Sequence, residues 1–288
     1  MIYLLLSIIC NVLLLIVIKY FERFKIPNLQ GIVVNYFVAG ATALFFIPNE
    51  ITKEEIFNAP WLPVSFLLGA LFISIFFLIS LTAQKISISV ASVSNKMSVV
   101  IPVIIAFLFY GDRLNIIKIF GIALALASVY LTTYTKEKIK KENYHLWLPI
   151  LVFFGSGIID ALVNFSNKKL ITNTSHDAAY SCIGFFSAGL IGLFIILYQL
   201  FSKRTEFNHK SILGGLCLGI PNFFSIYFIL KALGTNILES SQLYPVANIF
   251  IVVLSSLAGL FLFKEKMNKF NYTGIALSVI ATLLITFA

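Results

Sequence analysis

The chain contains two copies of one unit. Its second half matches the first at a spacing of 149 residues, and at 153 near the end. Ser7 and Asn11 fall on Ser156 and Asp160, Lys19 on Lys168, Ala39-Gly40 on Ala188-Gly189, and Ala83 on Ala232. At the larger spacing, Asp112 and Asn115 fall on Glu265 and Asn268, and Gly121-Ile-Ala-Leu124 falls on Gly274-Ile-Ala-Leu277. The four-residue drift is about one helical turn and precedes the last two apolar segments. The fold must therefore accommodate two repeats, residues 1–140 and 141–288.

The solvent of this fold follows from its composition. Of 288 residues, 59% are hydrophobic and 11% are charged. A soluble domain carries about 25% charged residues, so this surface needs a bilayer. Ten apolar segments approach the roughly 20 residues a spanning helix requires. They lie near 2–19, 29–47, 61–82, 87–110, 115–134, 146–165, 178–200, 211–230, 238–263 and 270–287. Open sheet edges cannot sit in lipid, and no alternating ten-residue strands appear. The expected fold is an all-α integral membrane protein of ten transmembrane helices. Five per repeat is odd, so the second copy enters from the opposite side and the repeats are inverted. Inverted repeats in a chain this apolar are the architecture of secondary transporters. The N-terminus lacks a basic stretch before its apolar run, so the first segment is expected to be retained.

Formal net charge is +9. Fourteen Lys and Arg fall in the loops after the odd-numbered segments and six on the other side. The positive-inside rule then places the central loop, 135–145, in the cytoplasm and both termini outside a cytoplasmic (inner) membrane. The basic residues lie in short loops, which excludes a nucleic-acid surface. Cys10, Cys182 and Cys217 lie in apolar segments without metal or disulfide spacing. No catalytic set, metal or cofactor is expected.

Charged groups at membrane depth usually face a cavity or a partner. Lys96 and Asp160 are the two deep ones. Lys85, Ser89, Ser92 and Lys96 recur at spacings of four, three and four, on one helix face. Beyond them that face becomes apolar at Val99, Val100 and Val103. A polar stripe that stops at mid-membrane is half of an access path, and Lys96 there suits a carboxylate or phosphate. Snorkelling to the near interface is the alternative role. Asp160 shares a face with Ser156, Asn164 and Asn167, and its repeat partner is Asn11, on a face with Ser7. A buried carboxylate there suits a proton or a substrate ammonium, or a salt bridge to Lys96 that locks two helices. Tyr244, Pro245 and Asn248 in the ninth segment, and Pro221, Asn222 and Ser225 in the eighth, complete the candidates, with Asn35 weaker. Helix-breaking prolines often mark transporter binding sites; interhelical hydrogen bonds are the plainer role of the asparagines.

Each repeat closes with an aromatic-rich helix, an acidic turn and a glycine nine residues after the acid: Phe109-Tyr-Gly-Asp112 leading to Gly121, and Phe263-Lys-Glu265 leading to Gly274. With ten spans in two fives, the chain resembles the EamA-like branch of the drug/metabolite transporter superfamily over its whole length. The resemblance implies a helix bundle with a central cavity that moves small polar metabolites, often amino acids. Pro102 stands ten residues before Asp112 and Pro245 twenty before Glu265, closer and farther than the family's usual thirteen. Asp112 and Glu265 are expected to cap the fifth and tenth helices, where the dipole favours an acid. Gly121/Ala125, Gly274/Ser278 and Gly215/Gly219 read as close-packing pairs.

The expected function is alternating-access transport of a small polar metabolite, an amino acid or related carboxylate. Its substrate contacts are Lys96, Asp160, Asn11, Asn164, Asn222, Tyr244, Asn248 and Ser92. The lipid bilayer and the substrate are the expected partners, protons a possible coupling ion, and a monomer suffices. An integral-membrane enzyme is the alternative, but His145, His176 and His209 are scattered in loops without a catalytic set.

Overall fold

A computed structural model of the chain describes residues 1–47, 52–110, 115–134, 145–171, 176–233 and 240–287. Asp112, Glu239 and most of the central loop (135–144) lie outside the described residues, as do the side chains of Asn167, Lys168, Ser241, Gln242 and Pro245. Among the described residues all regular structure is helical. In order these helices are α1 (Ile2–Phe24), α2 (Asn28–Leu44), α3 (Lys53–Phe57), α4 (Leu62–Lys85), α5 (Ile88–Met97), α6 (Val100–Tyr110), α7 (Ile116–Thr133), α8 (Trp147–Lys169), α9 (His176–Phe201), α10 (Lys210–Leu233), α11 (Ser240–Leu262) and α12 (Lys269–Phe287). Every predicted apolar segment is helical. Among the described residues eight stretches, against the ten expected, are long and apolar enough to cross a membrane, and Val246–Leu262 is a shorter apolar helix.

Two departures from the sequence reading have local causes. Residues 48–60 contain α3, which opens on Thr52: its hydroxyl accepts the Glu55 N–H while the Glu55 carboxylate accepts the Thr52 N–H. The fourth segment is two helices, broken at Ser98–Val99. Pro102 has no N–H and its ring crowds the carbonyl four residues back, that of Ser98. The Ser98 carbonyl bonds the Ile101 N–H instead, at 2.9 Å, and its hydroxyl bonds the Asn95 carbonyl. The break falls one residue past Lys96 and its neighbour Met97.

Three lysines do the work usually given to glycine. Lys25, Lys203 and Lys264 follow α1, α9 and α11 with φ of 55°, 53° and 52°. Each left-handed turn lets the next N–H reach back to an orphan carbonyl: Ile26 to Phe21 at 2.8 Å, Arg204 to Gln199 at 2.9 Å, and Glu265 to Gly259 at 3.0 Å. A lysine at a helix C-terminus also complements the dipole.

The chain forms two compact units that do not follow the sequence halves. The first takes Met1–Lys19, Leu78–Ile158 and Phe224–Ala288, the second Tyr20–Phe77 and Ile159–Phe223. Within the first, Val93, Met97 and Val100 pack with Ala125, Phe153, Val252 and Ile285. A second cluster joins Leu4, Ile8 and Val12 of α1 to Leu243, Ala247 and Ile251 of α11. Within the second unit, Trp61 and Leu68 pack with Ala179 and Tyr180.

Each unit contains a pair of repeat-equivalent helices that pack along each other through glycines. In the first unit α7 packs along α12. A Cβ on Gly121 would meet Ile285 Cγ1 at 2.8 Å, and one on Gly274 would meet the Thr132 nitrogen at 2.6 Å. Thr132 and Ile285 are separated by the same 153 residues as the two glycines. Early residues of each helix meet late residues of the other, so the pair is antiparallel. In the second unit α2 packs along α9. A Cβ on Gly40 would meet the Phe186 ring at 3.1 Å, and one on Gly189 the Phe37 ring at 3.2 Å. Again the contact is reciprocal, at a spacing of 149.

Candidate functional site

In the first unit, α5 carries the polar stripe. Ser87 opens the helix, its hydroxyl accepting the Val90 N–H at 3.1 Å. Ser89 and Ser92 are 3% and 1% exposed. Neither hydroxyl has a hydrogen-bond partner among the described residues, and the same holds for Ser94 and Ser256. Ser80 and Ser156 of the same unit share this state. The hydroxyls of Thr82, Ser128, Thr132, Ser278 and Thr282 all bond to carbonyls of their own helices, within 2.8 Å, the ordinary outlet for a hydroxyl in an apolar helix. Lys96 is half-buried in the last turn of α5.

Three further candidates lie in this unit. Asn11 is half-buried and donates to the Ser7 carbonyl at 3.0 Å, while the buried Ser7 hydroxyl donates to the Ser225 carbonyl at 2.7 Å. The predicted face of α1 is thus spent on helix contacts at Ser7 and on its own backbone at Asn11. Tyr244 is exposed and Asn248 half-buried on α11.

Asp160, Asn164 and Asn222 belong to the second unit. Burial was expected at Asp160. Instead it is exposed, as is Asn164 one turn on. The face of α8 that is buried at Ser156, with Gly157 against Ile101, opens beyond that point. The exposed acid and amide lie one turn apart on the same side of α8. Asn222 is buried and donates to Asn35 Oδ1 at 3.1 Å, joining α10 to α2. The interhelical role of this asparagine therefore has its partner. Gly215 and Gly219 bring the same two helices together: a Cβ on Gly219 would meet the Asn35 carbonyl oxygen at 2.7 Å. The Asn35 side-chain nitrogen has no partner among the described residues. Pro221 sits inside an unbroken α10.

Sequence reasoning missed an ionic cluster at the turn between α4 and α5. Lys19 Nζ donates to the Ala83 and Gln84 carbonyls at 2.8 and 3.0 Å. It lies 3.9 Å from Glu265, and the two side chains are 14% and 9% exposed. Glu265 accepts the Ile88 N–H at 2.9 Å. The expectation that Glu265 caps the tenth helix is therefore corrected: it caps α5. The cap of α12 is Asn268, whose Oδ1 accepts the Asn271 N–H at 2.9 Å, and that of α7 is the equivalent Asn115, accepting the Lys118 N–H at 2.8 Å. Two causes redirect the acid. The left-handed Lys264 turns the chain back along α11, and Gly259 leaves room for the carboxylate. The available signal was the glycine six residues before the acid.

Comparison with known proteins gives three findings. The model of the EamA-like transporter family matches residues 1–134 and 147–287. An uncharacterised protein of Haemophilus influenzae is 28% identical over 281 residues, covering 96% of this chain and 94% of that protein. A protein crystal structure superposes with a TM-score of 0.57 at 16% identity, covering 98% of this chain and 97% of the other, a likeness of fold alone.

Proposed function

The chain belongs to the EamA-like transporter family and is a multi-pass membrane protein, and from that membership we propose that it is a secondary transporter built of two inverted five-helix repeats. It moves small polar metabolites, amino acids or related carboxylates, across the cytoplasmic membrane by alternating access. One observation carries this reading: equivalent helices of the two sequence repeats pair antiparallel through reciprocal glycine contacts, α7 with α12 and α2 with α9. Two copies related in that way run in opposite directions through a bilayer. This is the arrangement that lets one repeat adopt the conformation of the other and expose a site to each side in turn.

The substrate class rests on the chemistry of α5. Lys96 supplies a point charge for a carboxylate. The Ser89 and Ser92 hydroxyls on its face are not spent on their own backbone, so they remain able to donate to a polar ligand. Asp160 and Asn164 offer acceptors for an ammonium group on the second unit. Asn222 is assigned mainly to helix contact and Asn11 to its own backbone, Tyr244 and Asn248 to the polar lining of α11. The charge count orients the central loop to the cytoplasm and the termini outside, and the drive is a proton gradient or exchange. A monomer supplies both repeats.

The test is untargeted metabolite profiling of cells and medium with wild-type protein, Lys96→Met, Asp160→Asn and empty vector. A carboxylated compound should shift across the membrane with wild type and not with Lys96→Met. Unchanged transport of every carboxylated compound by Lys96→Met would remove the anchor role. Conversion of a metabolite without translocation would favour a membrane enzyme.

A further inference from the structure

Trp61 is 1% exposed and its indole nitrogen can only donate a hydrogen bond. Its partner is Nδ1 of His176, 3.2 Å away. An imidazole nitrogen accepts only when it carries no proton, so His176 is the neutral Nε2–H tautomer here. The two rings meet edge to face with centroids 5.9 Å apart, and Trp61 meets Tyr180 in the same way at 5.8 Å. Tyr180 donates onward to the Ser166 hydroxyl at 2.9 Å. A single run of contacts thus joins the start of α4, the start of α9 and the end of α8, all within the second unit.

We propose that His176 is a proton-binding site that controls this junction. A proton added to the Nδ1 lone pair turns the acceptor into a donor. Two N–H groups then point at each other where the indole has no access to water. The neutral form holds Trp61 in place and the protonated form releases it. The next residue, Asp177, is an acid.

Among the described side chains, the elements packed at this junction carry few other titratable groups. From α9 the other titratable group is the Tyr180 phenol. From α8 it is Lys169, which is exposed in the last turn. From α3 they are Glu54 and Glu55, both exposed, the second engaged with Thr52. The opening turns of α4, Leu62–Gly69, carry none. The junction stands on its own geometry. Its bearing on transport rests on the transporter reading, in which it answers to the pH on the side where α4 and α9 begin.

The chain has two tryptophans, and Trp147 is 50% exposed. In Trp147→Phe protein the emission of Trp61 alone is recorded, in detergent and in nanodiscs, from about pH 8 to about pH 5, the range in which histidines commonly titrate. An imidazolium beside an indole quenches it, so a reversible single-proton transition is expected. In Trp147→Phe/His176→Asn the transition should vanish, because an amide oxygen still accepts the indole N–H but does not titrate. A flat profile in the first protein, or an equal transition in the second, overturns the proposal. This readout needs no substrate. A clear transition in a protein that moves no metabolite would therefore sink the transporter reading and leave the proton site standing.

Discussion

Lys19 and Glu265 sit 3.9 Å apart and divide between them the two helix ends that meet at one turn. Lys19 holds the last carbonyls of α4, the negative end of that dipole. Glu265 holds the first N–H of α5, the positive end of the next. Each charge is matched to a helix end as well as to its partner. Removing one partner leaves the other largely buried and uncompensated, at a cost of about 3 kcal/mol. Glu265→Gln and Lys19→Met should each lower stability by that order in thermal unfolding of purified protein. The double variant should lose less than the sum. Strict additivity would mean the pair does not interact.

Gly259 makes room for this carboxylate, so its replacement separates the acid from its helix. Gly259→Ala meets the flexible end of Glu265 rather than backbone. The expected loss is smaller than for Glu265→Gln, and it should disappear when Glu265→Gln is already present. Persistence of the full effect in that background would place the cost of Gly259→Ala elsewhere.

The seam of α7 and α12 predicts a contrast among glycines. A methyl on Gly274 presses on the backbone nitrogen of Thr132 at 2.6 Å, whereas one on Gly184 makes ordinary contact with Phe72 at 3.4 Å. Gly274→Ala should destabilise by about 2 kcal/mol and Gly184→Ala by less than about 0.5 kcal/mol. Equal melting temperatures for the two variants would count against this packing.

The buried amide pair of Asn35 and Asn222 predicts a thermodynamic cycle. Asn222→Leu leaves the Asn35 carbonyl oxygen without its donor and should cost about 1–2 kcal/mol. The coupling between Asn222→Leu and Asn35→Leu should be about 1 kcal/mol, as for interhelical hydrogen bonds in membranes. Zero coupling would mean the asparagines do not bond.

Lys264 pays a backbone penalty to aim Glu265. Lys264→Gly should be neutral or stabilising, and Lys264→Val should cost about 1–2 kcal/mol, the usual strain of a left-handed residue with a Cβ. Circular dichroism melts of the two variants would decide it.

Much of the fold was legible because lipid imposes long apolar helices, and eight stretches among the described residues are of that kind. The break after Lys96 followed from Pro102, whose effect on Ser98 is local. The α3 helix was readable from Thr52 and Glu55 as a capping pair, but its five residues carry no hydrophobic period to announce it. Less of the candidate site was legible. Periodicity put Lys85, Ser89, Ser92 and Lys96 on one face, yet burial depends on what packs there, and the same reasoning applied to α8 missed the exposure of Asp160. The role of Glu265 was harder to read, since Gly259 signals only that the acid folds back, while the helix it caps lies 177 positions away in sequence.

Thr132 and Ile285 fill matching places in the α7–α12 seam, yet one is a hydroxyl and the other an alkyl chain. In an assembly of two identical chains a substitution alters both places at once. Joined into a single polypeptide, the two copies mutate separately. The glycines have stayed alike where contact demands it, while the residues they press against have parted company. The α7–α12 seam keeps the reciprocal contacts of a symmetric pair while its two ends are free to become chemically unequal.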